Sequence, residues 1–404
     1  MTLMTRIQGK EALIKKGLTW IALAISLIVF INLSSIFTTP SQLMVDDFVE
    51  YWSSAKLNLT QGNPYNPVQE AQIQYQIGRV ENIPLMMYNP PWTLLIAMPM
   101  ALFPYPVSRA LWFLLQVAII FGCASLLWRL YKGSPARPWI AWLVAFTMAP
   151  TLQLLKMGQI SGMLFLGITA FLYFHQKKKG WLAGLSVGLL FIKPHTLFLF
   201  LAVYALWCLK TRNWSYIGGT LLALTGATLI AVAVNPLVLG QYIQAMPLIT
   251  LNIFFPATWG TLLRMIFGQD KFWLQYIPPV LGLVWLLWYW WKNRKTWEWI
   301  DHLPLLIFVS AITTAYGWVC DQTVIVLPMI GMSVVFFQGK WTSKKAIIVG
   351  VYILINCVAA FLRVLQVYFF WLSAAYLILY LVARPDKKEP RVNLEPIPTE
   401  SLSS

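Results

Sequence analysis

The stretch Trp20-Ile21-Ala22-Leu23-Ala24-Ile25-Ser26-Leu27-Ile28-Val29-Phe30-Ile31 is the centre of an apolar run from Gly17 to Phe37. A charge-free run of that size matches the roughly 20 residues an α-helix needs to cross a ~30 Å hydrocarbon core. It is too long for a removable signal peptide and lacks a small-residue cleavage site, so it reads as a retained first helix. Shortly after it comes Asp46-Asp47-Phe48-Val49-Glu50-Tyr51-Trp52. The chain has only 14 acidic residues in 404. A carboxylate pair beside aromatics, just past a membrane-length run, is where a membrane enzyme can keep a general base.

The rest of the chain repeats the apolar pattern. It is 59% hydrophobic and 11% charged, with a mean hydropathy of +0.66; a soluble domain carries roughly 25% charged residues. The fold class is therefore an all-α integral membrane protein, because lipid requires each spanning segment to satisfy its own backbone. The net charge of +16 does not imply nucleic acid, because the basic residues fall in short tracts between apolar runs. Arg6 to Lys16, Arg129 to Arg137, Lys177 to Lys179, Lys210 to Arg212, Lys292 to Lys295, Lys340 to Lys345 and Arg384 to Arg391 hold 22 of the 30 Lys and Arg. Such tracts mark cytoplasmic loops. Placing all of them inside gives about twelve spans with both termini cytoplasmic: 17–37, 107–128, 138–155, 157–175, 180–192, 195–209, 214–234, 274–291, 303–317, 322–338, 345–363 and 366–383.

One membrane domain, 1–384, is expected, followed by a polar, Pro-containing cytoplasmic tail, 385–404, read as disordered. The first outer segment, 38–106, carries an amphipathic helix with Phe48, Tyr51, Trp52, Ala55 and Leu59 on one face, laid on the membrane surface. Gly62-Asn63-Pro64-Tyr65-Asn66-Pro67 stops it, and a Gln-rich helix over 68–77 follows. The apolar stretch Pro90 to Phe103 reads as re-entrant or interfacial, and 235–273 as a second, partly helical outer segment. Cys123, Cys208, Cys320 and Cys357 suit neither a disulfide framework nor a zinc site and read as small apolar fillers.

The same topology leaves eight cations outside: Lys56, Arg79, Arg109, Lys156, Lys193, Arg264, Lys271 and Arg363. Lys156-Met157-Gly158-Gln159 and Lys193-Pro194-His195 each sit at the outer end of an apolar helix, and Arg264 and Arg363 lie in or end apolar segments. A charge at membrane depth usually has a partner or a function, and a cation cluster there suits a phosphate head group. A sugar on a lipid phosphate carries its own activated bond. An acceptor hydroxyl attacks the anomeric carbon, a carboxylate takes the proton, and cations stabilise the departing phosphate. One base and no enzyme nucleophile mean direct displacement with inversion.

The segments Asp47-Phe48-Val49-Glu50-Tyr51-Trp52 and Gly62-Asn63-Pro64-Tyr65-Asn66-Pro67 resemble the first outer loop of glycosyltransferase family 87. Tyr88-Asn89-Pro90-Pro91, Gly158-Gln159, Ala183-Gly184-Leu185 with Gly188, Lys193-Pro194, and Tyr316-Gly317-Trp318 through Asp321 to Pro328 follow in the family's order. The resemblance covers about residues 17–330. It implies a GT-C-type polytopic helical bundle, a polyprenyl-phosphate sugar donor with mannose as the best-known sugar, and a base at Asp47, with Asp46 as its neighbour. This chain departs from the family at Cys320, Asp321 and Gln322, where many members carry His.

The expected site therefore comprises Asp47 and Asp46 as catalytic carboxylates and Lys156, Lys193, Arg264 and Arg363 around the donor phosphate. Gln159, His195, Asp321, Gln322, Trp52 and Tyr88 are placed near sugar or acceptor. No motif requires a metal or cofactor. The expected partners are a polyprenyl-phosphate sugar, a lipid- or glycan-linked acceptor and membrane lipid, with no nucleic acid. A bacterial inner-membrane location with an extracytoplasmic site completes the picture. The rival readings are a transporter or flippase of lipid-linked sugars, which should carry ionisable residues at the bilayer midplane, and a non-catalytic polyprenyl-phosphate-binding protein that tolerates loss of Asp47.

Overall fold

The computed structural model describes residues 47–384, apart from 82, 250–252, 339 and 362–364. The run 17–37, Asp46, Arg363 and the tail 385–404 thus lie outside the described residues. Within them every regular element is a helix. The α-helices in order are α1 Phe48–Leu59, α2 Pro67–Gln76, α3 Leu94–Ala101, α4 Tyr105–Leu130, α5 Trp139–Thr147, α6 Ala149–Met157, α7 Gly162–Gln176, α8 Gly180–Gly188 and α9 Phe198–Thr211. They continue as α10 Trp214–Val234, α11 Val238–Ala245, α12 Trp259–Phe267, α13 Ile277–Asn293, α14 Trp299–Thr313, α15 Val326–Phe336, α16 Ser343–Phe361 and α17 Leu372–Ala383.

Among the described residues, seven helical stretches are long and apolar enough to cross a membrane: Tyr105–Leu130, Pro194–Thr211, Trp214–Val234, Phe272–Asn293, Val319–Phe336, Ser343–Ala360 and Gln366–Ala383. The span expected over 138–155 is two helices, α5 and α6, bent by 66°. Met148, between them, is extended (ψ 130°), and Pro150 opens the second helix. Shorter apolar helices, Gly162–Gln176, Gly180–Ile192 and Trp299–Thr313, occupy three further expected positions. The Pro91–Ala101 helix is too short, at 1.5 Å per residue, to cross a ~30 Å core.

Two local features set the packing. Gly180, Gly184 and Gly188 recur every fourth residue along α8, against α10. A Cβ on Gly184 would fall 2.0 Å from the Tyr216 carbonyl oxygen, and one on Gly219 2.2 Å from that of Trp181. The two backbones therefore touch, as membrane helices do where small residues line the contact. Thr220 Oγ1 donates across it to the Gly184 carbonyl at 2.9 Å.

The second feature corrects an expectation. α1 does not lie on a surface by one face; Ser53, Ser54 and Asn58 are buried along with Phe48, Tyr51, Trp52 and Ala55. It packs against α2, α3, α4 and α10. Its polar side has its own partners, because Glu70 of α2 meets Ser53 Oγ and Ser54 Oγ at 2.5 Å each. Gln74 then clamps the following loop, exchanging two hydrogen bonds with the Leu85 backbone at 2.7 and 3.0 Å. Polarity along α1 thus marks burial, against α2 at Ser53 and Ser54 and against Met98 and Ala231 at Asn58, rather than contact with water.

Candidate active site

Asp47 stands at the N-cap position of α1, yet its side chain makes no capping bond. Its Oδ2 instead accepts from Gln159 Nε2 at 2.6 Å. Gln159 Oε1 accepts from Tyr51 Oη and from Lys193 Nζ, each at 2.8 Å. Lys193 Nζ also pairs with Asp321 Oδ1 at 2.8 Å. Asp321 accepts further bonds from Ser161 Oγ and, at 2.9 Å, from the Trp318 N–H. A continuous hydrogen-bonded chain, Asp47–Gln159–Lys193–Asp321, thus joins segments far apart in sequence.

Each member is placed by local chemistry. Gly158 ends α6 in the left-handed region (φ 67°), and a Cβ there would lie 2.7 Å from Phe48 Cβ. The carbonyls left at that helix end are taken up by one face of α4. Arg109 Nη2 donates to Leu155 and Lys156 at 3.1 Å, Trp112 Nε1 to Gly158 at 2.8 Å, and Gln116 Nε2 to Gln159 at 3.2 Å. Residues at i, i+3 and i+7 share a helix face, so α4 fixes the Gly158–Gln159 turn. Lys193 lies where 3₁₀ turns Leu189–Ile192 and Pro194–Leu197 meet. Pro194 has no N–H to continue a helix. The neighbouring carbonyls of Phe191 and Ile192 are satisfied by Trp92 Nε1 at 3.1 Å and Asn89 Nδ2 at 2.8 Å.

Burial raises the Asp47 carboxyl above the ordinary carboxylate range, while the Gln159 hydrogen bond and the Lys193 charge pull it back. Glu50, one turn along α1, is pushed up to about 8, first by burial and then by the Asp47 charge. Near neutral pH the helix end therefore holds a proton on Glu50. Two donors fix the Gln159 carbonyl, so its NH2 faces Asp47. The arrangement offers a positioned proton acceptor with a buried cation one side chain away.

The site residues expected from sequence fall into separate places. Asp47, Gln159, Lys193 and Asp321 meet, as described. Asp321 is 2% exposed, and its carboxylate is occupied as the counter-ion of Lys193 and in the turn at Trp318. Gln322 is buried beside it, and its Oε1 has no hydrogen-bond partner among the described residues. His195 is half-buried, with Nε2 itself buried and its ring edge-on to Tyr316 at 5.6 Å. Trp52 is a core residue, its indole N–H on the Phe103 carbonyl at 3.2 Å. Tyr88 is exposed. Lys156 is exposed at the end of α6. Arg264 sits in another cluster, donating to the carbonyls of Phe254 and Gln269 at 3.2 to 3.3 Å and stacked between Phe255 and Phe272. Asp46 and Arg363 fall outside the described residues.

Sequence reading passed over four contributors. Glu50 was legible, because it stands at i+3 from Asp47 on a recognised helix. Tyr51 and Ser161 carried no signal beyond proximity to named motifs. Arg109 was counted among the outer cations, but nothing in sequence tells a helix-end cap from a loop charge.

Many apolar helices around a buried ionisable chain at their ends define a polytopic membrane protein with an enzyme-like polar centre. The model of glycosyltransferase family 87 matches residues 87–314, more than half of the chain, and the protein belongs to that family. It is a glycosyltransferase. The matched region includes Tyr88, Gln159 and Lys193, while Asp47 and Asp321 lie outside it and join it through hydrogen bonds. No curated protein and no solved structure matches the chain.

Proposed function

We propose that this glycosyltransferase is an inverting enzyme. It moves a hexose or pentose from a polyprenyl-phosphate donor to a lipid- or glycan-linked hydroxyl at the extracytoplasmic face of a bacterial inner membrane. The observation that carries this reading is the Asp47–Gln159–Lys193–Asp321 chain, a carboxylate and a buried cation held by one amide.

Asp47 is the base. Gln159 engages Oδ2, which leaves Oδ1 to face the acceptor hydroxyl. The acceptor oxygen forms its bond to the anomeric carbon as Asp47 takes its proton. The bond from that carbon to the donor phosphate breaks on the opposite face, and the leaving group departs as the lipid phosphate. A phosphate needs little protonation to leave, unlike the neutral leaving oxygen that obliges glycosidases to keep a second carboxyl as acid. Lys193 acts at that charge and also holds the Gln159 amide in the orientation Asp47 needs. The exposed Tyr88 ring and the neutral Glu50 carboxyl supply hydroxyl-directed contacts.

Purified protein is offered a panel of polyprenyl-phosphate sugars and, separately, nucleotide sugars, and donor consumption is followed. Wild type should consume a lipid-phosphate sugar. Asp47→Asn should lower kcat by about 10²–10⁴-fold with little change in donor KM. Because burial raises the Asp47 pKa, kcat/KM should fall with decreasing pH at a value above the ordinary carboxylate range, and that limb should vanish in the variant. Transfer from nucleotide sugars alone, or normal turnover by Asp47→Asn, defeats the proposal.

A further inference from the structure

Of the four cations expected around the donor phosphate, Lys193 is the described one that reaches Asp47's network, and two of its three ammonium donors are already used, by Gln159 and Asp321. Arg264 is committed to its own loop. A second cation, one of the eight expected outside, also acts on Asp47.

Arg79 follows α2 at a turn set by Gly78 (φ 93°), and its N–H bonds the Gln74 carbonyl at 3.0 Å. The Gln74 side chain pins the same loop at Leu85, and the loop runs on to Asn89, bonded to Ile192 beside Lys193. The side chain is only 7% exposed. Its charge acts on Asp47 together with that of Lys193. Of its three nitrogens, Nη2 donates to the Ile83 carbonyl at 3.3 Å. Nε and Nη1 are buried without a hydrogen bond. Glu81 Oε2 stands 3.3 Å from Nε as an ion pair, in a geometry that makes no hydrogen bond, and the Glu81 side chain is 39% exposed.

A buried guanidinium with two nitrogens unused, next to a weakly held and partly exposed carboxylate, fits an exchange of anions. A tetrahedral phosphate offers oxygens in several directions and can meet more than one edge of the fork, which one planar carboxylate cannot. We infer that the Arg79 guanidinium binds a phosphate oxygen of the lipid-phosphate donor, giving up Glu81 to do so. Lys193 and Arg79, whose charges both act on Asp47, then share the phosphate. The inference rests on the polyprenyl-phosphate reading above and adds the group that recognises the phosphate.

The test measures binding of a polyprenyl phosphate and of the polyprenol of equal length to the full chain in detergent, by ligand-induced thermal shift. Wild type should prefer the phosphate form. Arg79→Gln should lose about tenfold to a hundredfold of that preference while binding the polyprenol as wild type does. Arg79→Lys, which keeps the charge and loses the fork, should fall between. Glu81→Gln removes the competing anion and should tighten the phosphate form alone, which decides the matter even where Arg79→Gln fails to fold. An unchanged preference in Arg79→Gln, equal weakening of both lipids, or no tightening in Glu81→Gln overturns the inference and leaves the polyprenyl-phosphate reading standing. Absence of any phosphate preference in wild type overturns both.

Discussion

Lys193 and Asp321 were each visible in sequence as polar residues beside apolar helices, but their relation was not. A topology drawn from charge tracts says which side of the membrane a cation faces; it says nothing of depth or of a partner 128 positions away. The pair is buried and hydrogen-bonded, and its value lies in mutual compensation. Removing one member strands the other charge, at about 3–5 kcal/mol. Lys193→Met should therefore lower stability by about that amount in thermal unfolding in detergent, and abolish turnover. Adding Asp321→Asn should recover most of the stability, because no charge is then stranded and the amide oxygen can still accept the Trp318 N–H. Turnover should stay lost, since Gln159 no longer has its ammonium partner. Recovery of both together would make Lys193 a structural residue only. Arg109 and Arg264 escaped sequence reading for the same reason: a guanidinium that satisfies helix-end or loop carbonyls looks identical, in one dimension, to a charge waiting for a ligand.

At the scale of elements, the positions of the helices were legible because apolar runs and basic tracts alternate. Breaks inside a run were harder to see. The 66° bend between α5 and α6 needs only an extended Met148 and Pro150, inside an otherwise unbroken apolar stretch. The α8–α10 contact was half legible, since the glycine spacing is in the sequence but the partner helix is not. It gives a paired prediction. Gly184→Ala places a methyl against the Tyr216 carbonyl and should destabilise by about 1–3 kcal/mol or more. Gly226→Ala, on the same α10 and with nothing within 4 Å of its Cβ, should be neutral or stabilising by up to about 1 kcal/mol. Equal melting temperatures for the two would mean the helices do not touch there.

The α1–α2 pair carries a pH signature of its own. Ser53 Oγ lies 2.7 Å from the Val49 carbonyl and 2.5 Å from Glu70 Oε2, but a hydroxyl has one proton. If it goes to Val49, the Glu70 carboxyl must supply the other, so a neutral Glu70 completes the network. Burial agrees, raising this carboxyl from 4.5 to about 8. Between those values the folded chain holds a proton that the unfolded chain has released. This contribution to stability is thus fully present below about pH 4.5 and is lost as pH rises through about 8. Glu70→Gln keeps a donor and cannot ionise. It should melt near the wild-type temperature at low pH and flatten the decline between pH 5 and 8. An unaltered slope would show that Glu70 is ionised in the folded state.

For the whole molecule, the arrangement of ends matters most. α7, α9 and α14 each start or finish at the polar chain: Ser161 precedes α7, Lys193 and His195 precede α9, and Thr314 after α14 donates to the His195 carbonyl at 3.0 Å. Their other ends gather at a cavity of about 460 Å³ lined by His175, Lys178, Trp207, Tyr216, Glu298 and Trp299. The tracts Lys177 to Lys179, Lys210 to Arg212 and Lys292 to Lys295 sit at that end of the helices. Basic residues collect on the cytoplasmic side, so the chemistry should open to the other. α7 measures only about 22 Å at 1.5 Å per residue. A crossing by α7 would need Ser161 at one end and the lysine tract at the other. Lys156→Cys and Lys178→Cys, both exposed positions flanking α7, test this directly with a membrane-impermeant thiol reagent. Cys123, Cys208 and Cys320 are buried, so Cys357 is the native thiol to replace first. Lys156→Cys should label in intact, outward-facing cells, and Lys178→Cys only in inverted vesicles. Labelling of both from one side would mean α7 turns back within the membrane, and a base at Asp47 would then share its face with the basic loops, where a lipid-linked sugar acceptor outside the cell could not reach it.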